Sequence, residues 1–153
     1  MATDGVNDNL VPPEVAAQLI GEATEEQLEE GMRANREQIL GQIFQTMPGR
    51  IDPQKTADLD LVAEWRITGR EDGGVDRWQV HIVRGSCHVV RDGDAQPTVA
   101  YEIGPIDFLR LVTGNESGPK LFLFGRLRIS GNLLLAARMP SMFKIPEGTS
   151  AAQ

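Results

Sequence analysis

Between residues 59 and 103 the polarity of the chain repeats every two residues. Leu61, Ala63, Trp65 and Ile67 alternate with Val62, Glu64 and Arg66, and Trp78, Val80 and Ile82 alternate with Gln79 and His81. A period of two sends successive side chains to opposite faces, so each run reads as a strand with one face turned inward. Residues 86–91 and 98–103 supply two more strands. The links EDGG, Arg84-Gly85 and DGDAQP are short and rich in Gly and Asp, which is hairpin chemistry. They predict antiparallel neighbours. An Arg84-Gly85 hairpin sets Val83 opposite Ser86, Ile82 opposite Cys87 and His81 opposite His88. A slip of one residue would turn His88 into the apolar set.

The helices fall on either side of this block. Residues 12–23 read as a short helix with Pro13 in its first turn. Thr24 and Gln27 have the spacing of a capping box, and Glu25, Glu26, Glu29 and Glu30 load the end where the helix dipole favours negative charge. Asn35 is expected to cap a further helix carrying Ile39, Leu40, Ile43, Phe44 and Met47 on one face, stopped at Pro48-Gly49. Residues 104–114 predict a helix bearing Ile106, Phe108, Leu109 and Val112 and closed by Gly114; residues 115–120 read as a loop. The segment GRLRISGNLLLAARM, residues 125–139, begins as a strand and turns at Gly131 and Asn132 into a helix. Strands in a run with helices grouped apart indicate α+β: a five-stranded, mainly antiparallel sheet with helices covering one face. One compact domain is expected, with a flexible N-terminus (1–11), a helical N-terminal extension (12–48), a main body (49–146) and a flexible tail (147–153).

Composition removes several classes of function. A net charge of −7 opposes nucleic-acid binding, which needs a basic surface. The single cysteine, Cys87, allows no internal disulfide and fits a reducing cytoplasm. There is no signal-peptide pattern, and the apolar run 133–137 is too short for stable membrane insertion. Phosphate-loop, zinc and nucleophile-elbow motifs are absent. The opposed His81 and His88 lack a third ligand, so no metal is expected. Cys87, on the apolar face, reads as a small buried hydrophobe. An enzyme acting on an apolar substrate would have only His81, Glu102 and Asp107 to draw on, and no cofactor is implied.

The helix after Asn132 poses a separate question. Leu133, Leu134, Leu135, Ala136 and Ala137 leave it apolar nearly all round. Such a helix is either buried on both sides or borders something apolar that is not protein. The surrounding residues carry a pattern. Asp107, Phe108, Leu111, Val112 and Gly114 are followed by Phe122, Gly125, Leu127, Ile129, Gly131 and Asn132, and then by Met139, Met142 and Phe143. In this order, over residues 55–146, the chain resembles the sterol carrier protein 2 domain family.

The resemblance implies a curved sheet with an apolar tunnel beneath its helices. It implies non-catalytic binding or transfer of a lipid: a fatty acid, a fatty acyl-CoA or a sterol-like molecule. The expected lining is Trp65, Trp78, Val80 and Ile82 from the sheet, Phe108, Leu109 and Val112 from the helix before Gly114, and Phe122, Leu127 and Ile129 from the next stretch. Leu133, Leu134, Ala137, Met139, Met142 and Phe143 complete it. Arg126 and Arg128 alternate with Leu127 and Ile129 and so belong to a solvated face. Residues 12–48 would close the tunnel or form a homodimer. An alternative role is an interaction module assisting an enzyme of lipid metabolism.

Overall fold

The computed structural model describes residues 13–143; the expected flexible ends, 1–11 and 147–153, lie outside the described residues. Helix α1 spans Pro13–Glu22 and α2 spans Glu25–Thr46. The capping box forms: the Gln27 amide N–H donates to the Thr24 hydroxyl, and the Thr24 N–H to the Gln27 side chain. Asn35 leaves the helical conformation, at φ −137° and ψ 30°, so α2 is two helices meeting at a kink where the sequence places their boundary. The next residue, Arg36, reaches the sheet, donating to Asp76 at 2.7 Å and to the carbonyls of Ile67 and Thr68. Asp76 also receives Arg70 and Arg91 at 3.4 Å, so one buried carboxylate ties helix, turn and sheet together.

Five strands follow: β1 (Asp60–Ile67), β2 (Asp76–Val83), β3 (Ser86–Arg91), β4 (Val99–Ile103) and β5 (Leu127–Gly131). Their order in the sheet is β3-β2-β1-β4-β5. The Arg84-Gly85 hairpin has the expected register, with His81 opposite His88 and Ile82 opposite Cys87. One expectation fails. β4 does not pair with β3; it lies beside β1 and parallel to it, with Ala63 opposite Val99. The link 92–98 is therefore a strap across the second face of the sheet, not a hairpin. Gln79 anchors it, donating to the Ala95 carbonyl at 2.9 Å and accepting from the Ala95 N–H at 3.2 Å. A Cβ at Gly93 would stand 2.5 Å from the Gln79 side-chain oxygen. The glycine that suggests a turn is required here by close approach.

Beneath the strap, Glu64 and Gln79 are buried and bonded to each other at 2.9 Å. On the opposite face, Leu61, Ala63, Trp65, Ile67, Trp78, Val80 and Ile82 join one apolar core with the helices. Phe44 of α2 is fully buried there. Its ring stacks on Trp78 at 4.8 Å and on Phe108 at 5.3 Å. Phe108 belongs to α3 (Pro105–Val112), which ends before Gly114 at φ 79°. The stretch read as a loop contains the start of a short helix, α4 (Gly118–Leu123), capped by Ser117, whose hydroxyl accepts the Lys120 N–H. Ser-Gly-Pro is an N-terminal signal: a capping hydroxyl followed by a ring that fits the first turn.

Gly131 is held at φ 93°, and a Cβ there would stand 2.5 Å from the Thr98 carbonyl oxygen. Only glycine fits on both counts. The Asn132 side chain then accepts the Leu135 N–H and opens α5 (Leu133–Met142). This helix is not buried on both sides. Leu133 and Leu134 are 56% and 81% exposed, while Met139 and Met142 are buried.

Candidate functional site

Between the β1-β4-β5 half of the sheet and α4 and α5 lies a cavity of about 470 Å³. Its floor follows from strand register. Ile129, Tyr101 and Trp65 face each other across β5, β4 and β1, and Leu127 lies two residues along. Trp65 and Tyr101 stack at 4.2 Å, which fixes a rigid aromatic surface. Ile43 and Met47 close one side from α2 and its 3₁₀ extension. Leu111 and Val112 come from α3, and Phe122 from α4. The roof is Leu133, Ala136, Ala137, Met139, Pro140 and Phe143. These side chains have no charge and almost no hydrogen-bonding capacity, so the space suits a hydrocarbon.

Nine residues expected to line a tunnel border this cavity: Trp65, Val112, Phe122, Leu127, Ile129, Leu133, Ala137, Met139 and Phe143. The other seven do not. Trp78, Val80, Ile82, Phe108, Leu109 and Met142 are buried in the packed core, and Leu134 points outward. The reason is Phe44. Its ring occupies the space over Trp78 that an open tunnel would need. Alternation identifies inward-facing residues but not which of them face a void.

Four polar residues at the cavity escape the sequence pattern: Arg50, Tyr101, Glu116 and Ser117. Tyr101 was legible in principle, because it shares the parity of Val99 and Ile103 on β4. The Tyr101 hydroxyl is buried without a hydrogen-bond partner, and burial pushes its ionisation upward. Glu116 lies 3.7 Å from Lys120. Arg50 is half-buried. Burial, only partly countered by Glu14, holds its guanidinium below the ordinary arginine value.

The loose catalytic candidates are not brought together. Asp107 is paired with Arg126 at 2.7 Å, Glu102 sits opposite Arg128 on neighbouring strands, and none of His81, Glu102 and Asp107 lines the cavity. The His81 and His88 rings stack at 4.7 Å. Burial, and then the neighbouring His88, hold His81 below its ordinary value. Among the described residues no group of three or more His, Cys, Asp or Glu side chains could hold a metal ion. Burial pushes the Cys87 thiol up to about 11, so it is a poor nucleophile. Arg128 is exposed, as expected of a solvated face. Among the described residues no helix is long and apolar enough to cross a membrane.

Comparison with known proteins adds a second line of observation. The family described as the SCP-2 sterol transfer family matches residues 40–144. The peroxisomal multifunctional enzyme A of Dictyostelium discoideum is 29% identical over 105 residues, which are 67% of this chain and 24% of the enzyme. The oleate-induced peroxisomal protein POX18 of Candida maltosa is 28% identical over 75 residues, 48% of this chain and 59% of that protein. The chain thus spans about a quarter and about three fifths of the curated relatives it matches. The crystal structure of sterol carrier protein 2 like 2 from Aedes aegypti superposes with a TM-score of 0.58 at 24% identity, covering 74% of this chain and all of that one. That similarity concerns the fold: α+β, with a five-stranded, mostly antiparallel sheet.

Proposed function

The chain belongs to the SCP-2 sterol transfer family, and from that premise we propose that it binds a single-chain lipid in the cavity between β1-β4-β5 and helices α4 and α5, and carries it without altering it. The cavity is the observation that supports this most directly. Its volume of about 470 Å³ lies in the range of small-molecule sites, roughly 300–1,000 Å³. Each methylene withdrawn from water contributes about 0.8 kcal/mol. Ten of them give roughly 8 kcal/mol, a micromolar dissociation constant before the costs of ordering. No directional chemistry is needed for such affinity, and the lining offers little. Phe122 and Leu133 border the cavity and are also half exposed, at 48% and 56%, so a chain has a way in beside them.

Native mass spectrometry of the purified protein, before and after solvent extraction, tests this reading together with titration by oleate. Trp65 lines the cavity, so its fluorescence reports occupancy. The substitution Ala136→Trp fills the space and should abolish binding while the protein stays folded. Absence of any bound lipid, with no oleate-dependent signal, would refute the proposal.

A second reading is supported by one comparison. The match to a quarter of a multifunctional enzyme is what an appended interaction module would give. On that reading α1 and α2 would form a homodimer face. Light scattering of the intact chain decides it: a monomer at tens of micromolar counts against a dimer. Truncation to residue 48 is unsuitable, because it would remove Phe44 from the core.

A further inference from the structure

On the face of the sheet turned away from the core, His81 of β2 stands directly opposite His88 of β3, with ring centres 4.7 Å apart. Neither lines the lipid cavity. The hydrogen bonds of Gln79 decide how the His81 ring is protonated. The Gln79 amide nitrogen donates to the Glu64 carboxylate and to the Ala95 carbonyl, each at 2.9 Å. Both partners only accept, so the nitrogen must lie on their side. The Gln79 oxygen is then an acceptor, and the Ala95 N–H donates to it at 3.2 Å. The same oxygen lies 3.3 Å from Nε2 of His81. Two acceptors do not bond each other, so Nε2 carries the proton and Nδ1 keeps a bare lone pair.

Proteins hold metal-binding imidazoles in this way. A ligating histidine donates its other ring N–H to a protein oxygen, which fixes both tautomer and orientation. Gln79 does this for His81 and is itself pinned by Glu64 and by both backbone groups of Ala95. His88 is the adaptable member. It is exposed and has no hydrogen-bond or ion-pair partner among the described residues, so its ring is free to turn. The separation also fits. With metal–nitrogen bonds of about 2.0–2.1 Å, two imidazoles in adjacent positions on one ion have ring centres about 4.5–5 Å apart. Among the described residues no third His, Cys, Asp or Glu joins the pair, so water completes the coordination and the ion is exchangeable. Imidazole ligands suit nickel, copper and zinc, whereas magnesium and calcium prefer oxygen.

The geometry points to an open site for a divalent late transition metal on the outer face of β2 and β3, with Nδ1 of His81 and the imidazole of His88 as its two protein ligands. Counting ligands along the sequence argues against a metal here; the fixed tautomer of His81 is what the structure adds. The site is independent of lipid carriage. The cavity lies under the β1-β4-β5 half of the sheet, on its other face, and β3 is the edge strand at the far end. A bound ion bridges β2 to a strand that has a single neighbour in the sheet, and so fastens that edge.

The test is calorimetric titration of the intact chain with Zn²⁺, Ni²⁺ and Mg²⁺ near neutral pH, joined to long-range nitrogen–proton correlation spectra of the imidazoles. Metal-free protein should show His81 protonated at Nε2. Zn²⁺ should bind once per chain and move the Nδ1 resonance of His81, Ni²⁺ should compete with it, and Mg²⁺ should do neither. His81→Gln and His88→Gln should each weaken Zn²⁺ at least about tenfold, the lower end of what disturbing the support of a metal ligand costs. A His81 protonated at Nδ1 in the metal-free protein would overturn the assignment. So would the absence of a saturable Zn²⁺ titration, or Zn²⁺ affinity unchanged in both variants, which would place the ion elsewhere. Should His81→Gln fail to fold, His88→Gln decides, because it alters an exposed side chain that holds nothing else in place.

Discussion

The two halves of the sheet face are built from the same kinds of residue and end in opposite states. A row of side chains crosses the face in register: Ile129, Tyr101, Trp65 and Trp78. At the Trp78 end, Phe44 from α2 stacks on the indole and on Phe108, and no space remains. At the Ile129 end the covering helices are α4, of six residues, and α5, whose roof includes Ala136 and Ala137. Short helices with small residues cannot fill what a phenyl ring fills. The cavity is therefore what remains when an apolar strand face is covered by too little side-chain volume. The contrast is one of packing: one half is filled by stacked rings, and the other keeps a hollow.

If that division is right, Phe44→Ala should be the most damaging single change. Loss of a fully buried phenyl ring costs about 3–5 kcal/mol, read as a fall in the urea midpoint at unchanged slope. A loss near 1 kcal/mol would mean that the closed half is looser than its stacked rings indicate. Acid should act next most strongly, through the face beneath the strap that both halves share. Burial works to raise the Glu64 ionisation, but hydrogen bonds from Gln79 and Arg66 and the charges of Arg66 and Arg77 outweigh it, and the carboxyl lies below its ordinary value. Such a group contributes stability above the unfolded-state pKa and loses it as pH falls through the lower, folded-state value. Stability should therefore decline on acidification below the usual carboxylate range, and Glu64→Gln should flatten that part of the profile in denaturation curves taken from pH 7 to pH 3. Asn132→Ala comes third, at about 1 kcal/mol, the value of an N-cap. It removes the bond that starts the cavity roof, so it should loosen lipid binding as well as the fold.

The closed half could be read from the sequence more fully than the open one, and the reason is physical. Alternation along β1 and β2, the capping box at Thr24 and the register of the Arg84-Gly85 hairpin depend on neighbours in the chain or on one short turn. The parallel pairing of β1 with β4 does not. It depends on a strap held by Gln79 from the far side of β2, and Gly93 looks like any turn glycine until that contact is seen. The cavity was harder still. A hollow is an absence of side chains in three dimensions, and Trp65 and Trp78 carry the same one-dimensional signature although only one of them borders it.

The smallest expected effect is the one that tests the open half most sharply. Leu134 is 81% exposed and lines nothing, although it sits in a run of three leucines. Helical geometry explains it: consecutive residues point about 100° apart, so a contiguous run cannot all face one surface. Leu133 borders the cavity, Leu135 is half-buried against the core, and Leu134 falls between them toward water. Its replacement by Ser returns almost no apolar area to solvent and leaves the Asn132 cap in place, so stability should stay within about 0.5 kcal/mol of wild type. Oleate binding should be equally unmoved. A clear loss of either would mean that Leu134 is covered in solution, and that the roof of the cavity is held down by contacts additional to those of α5 with the core.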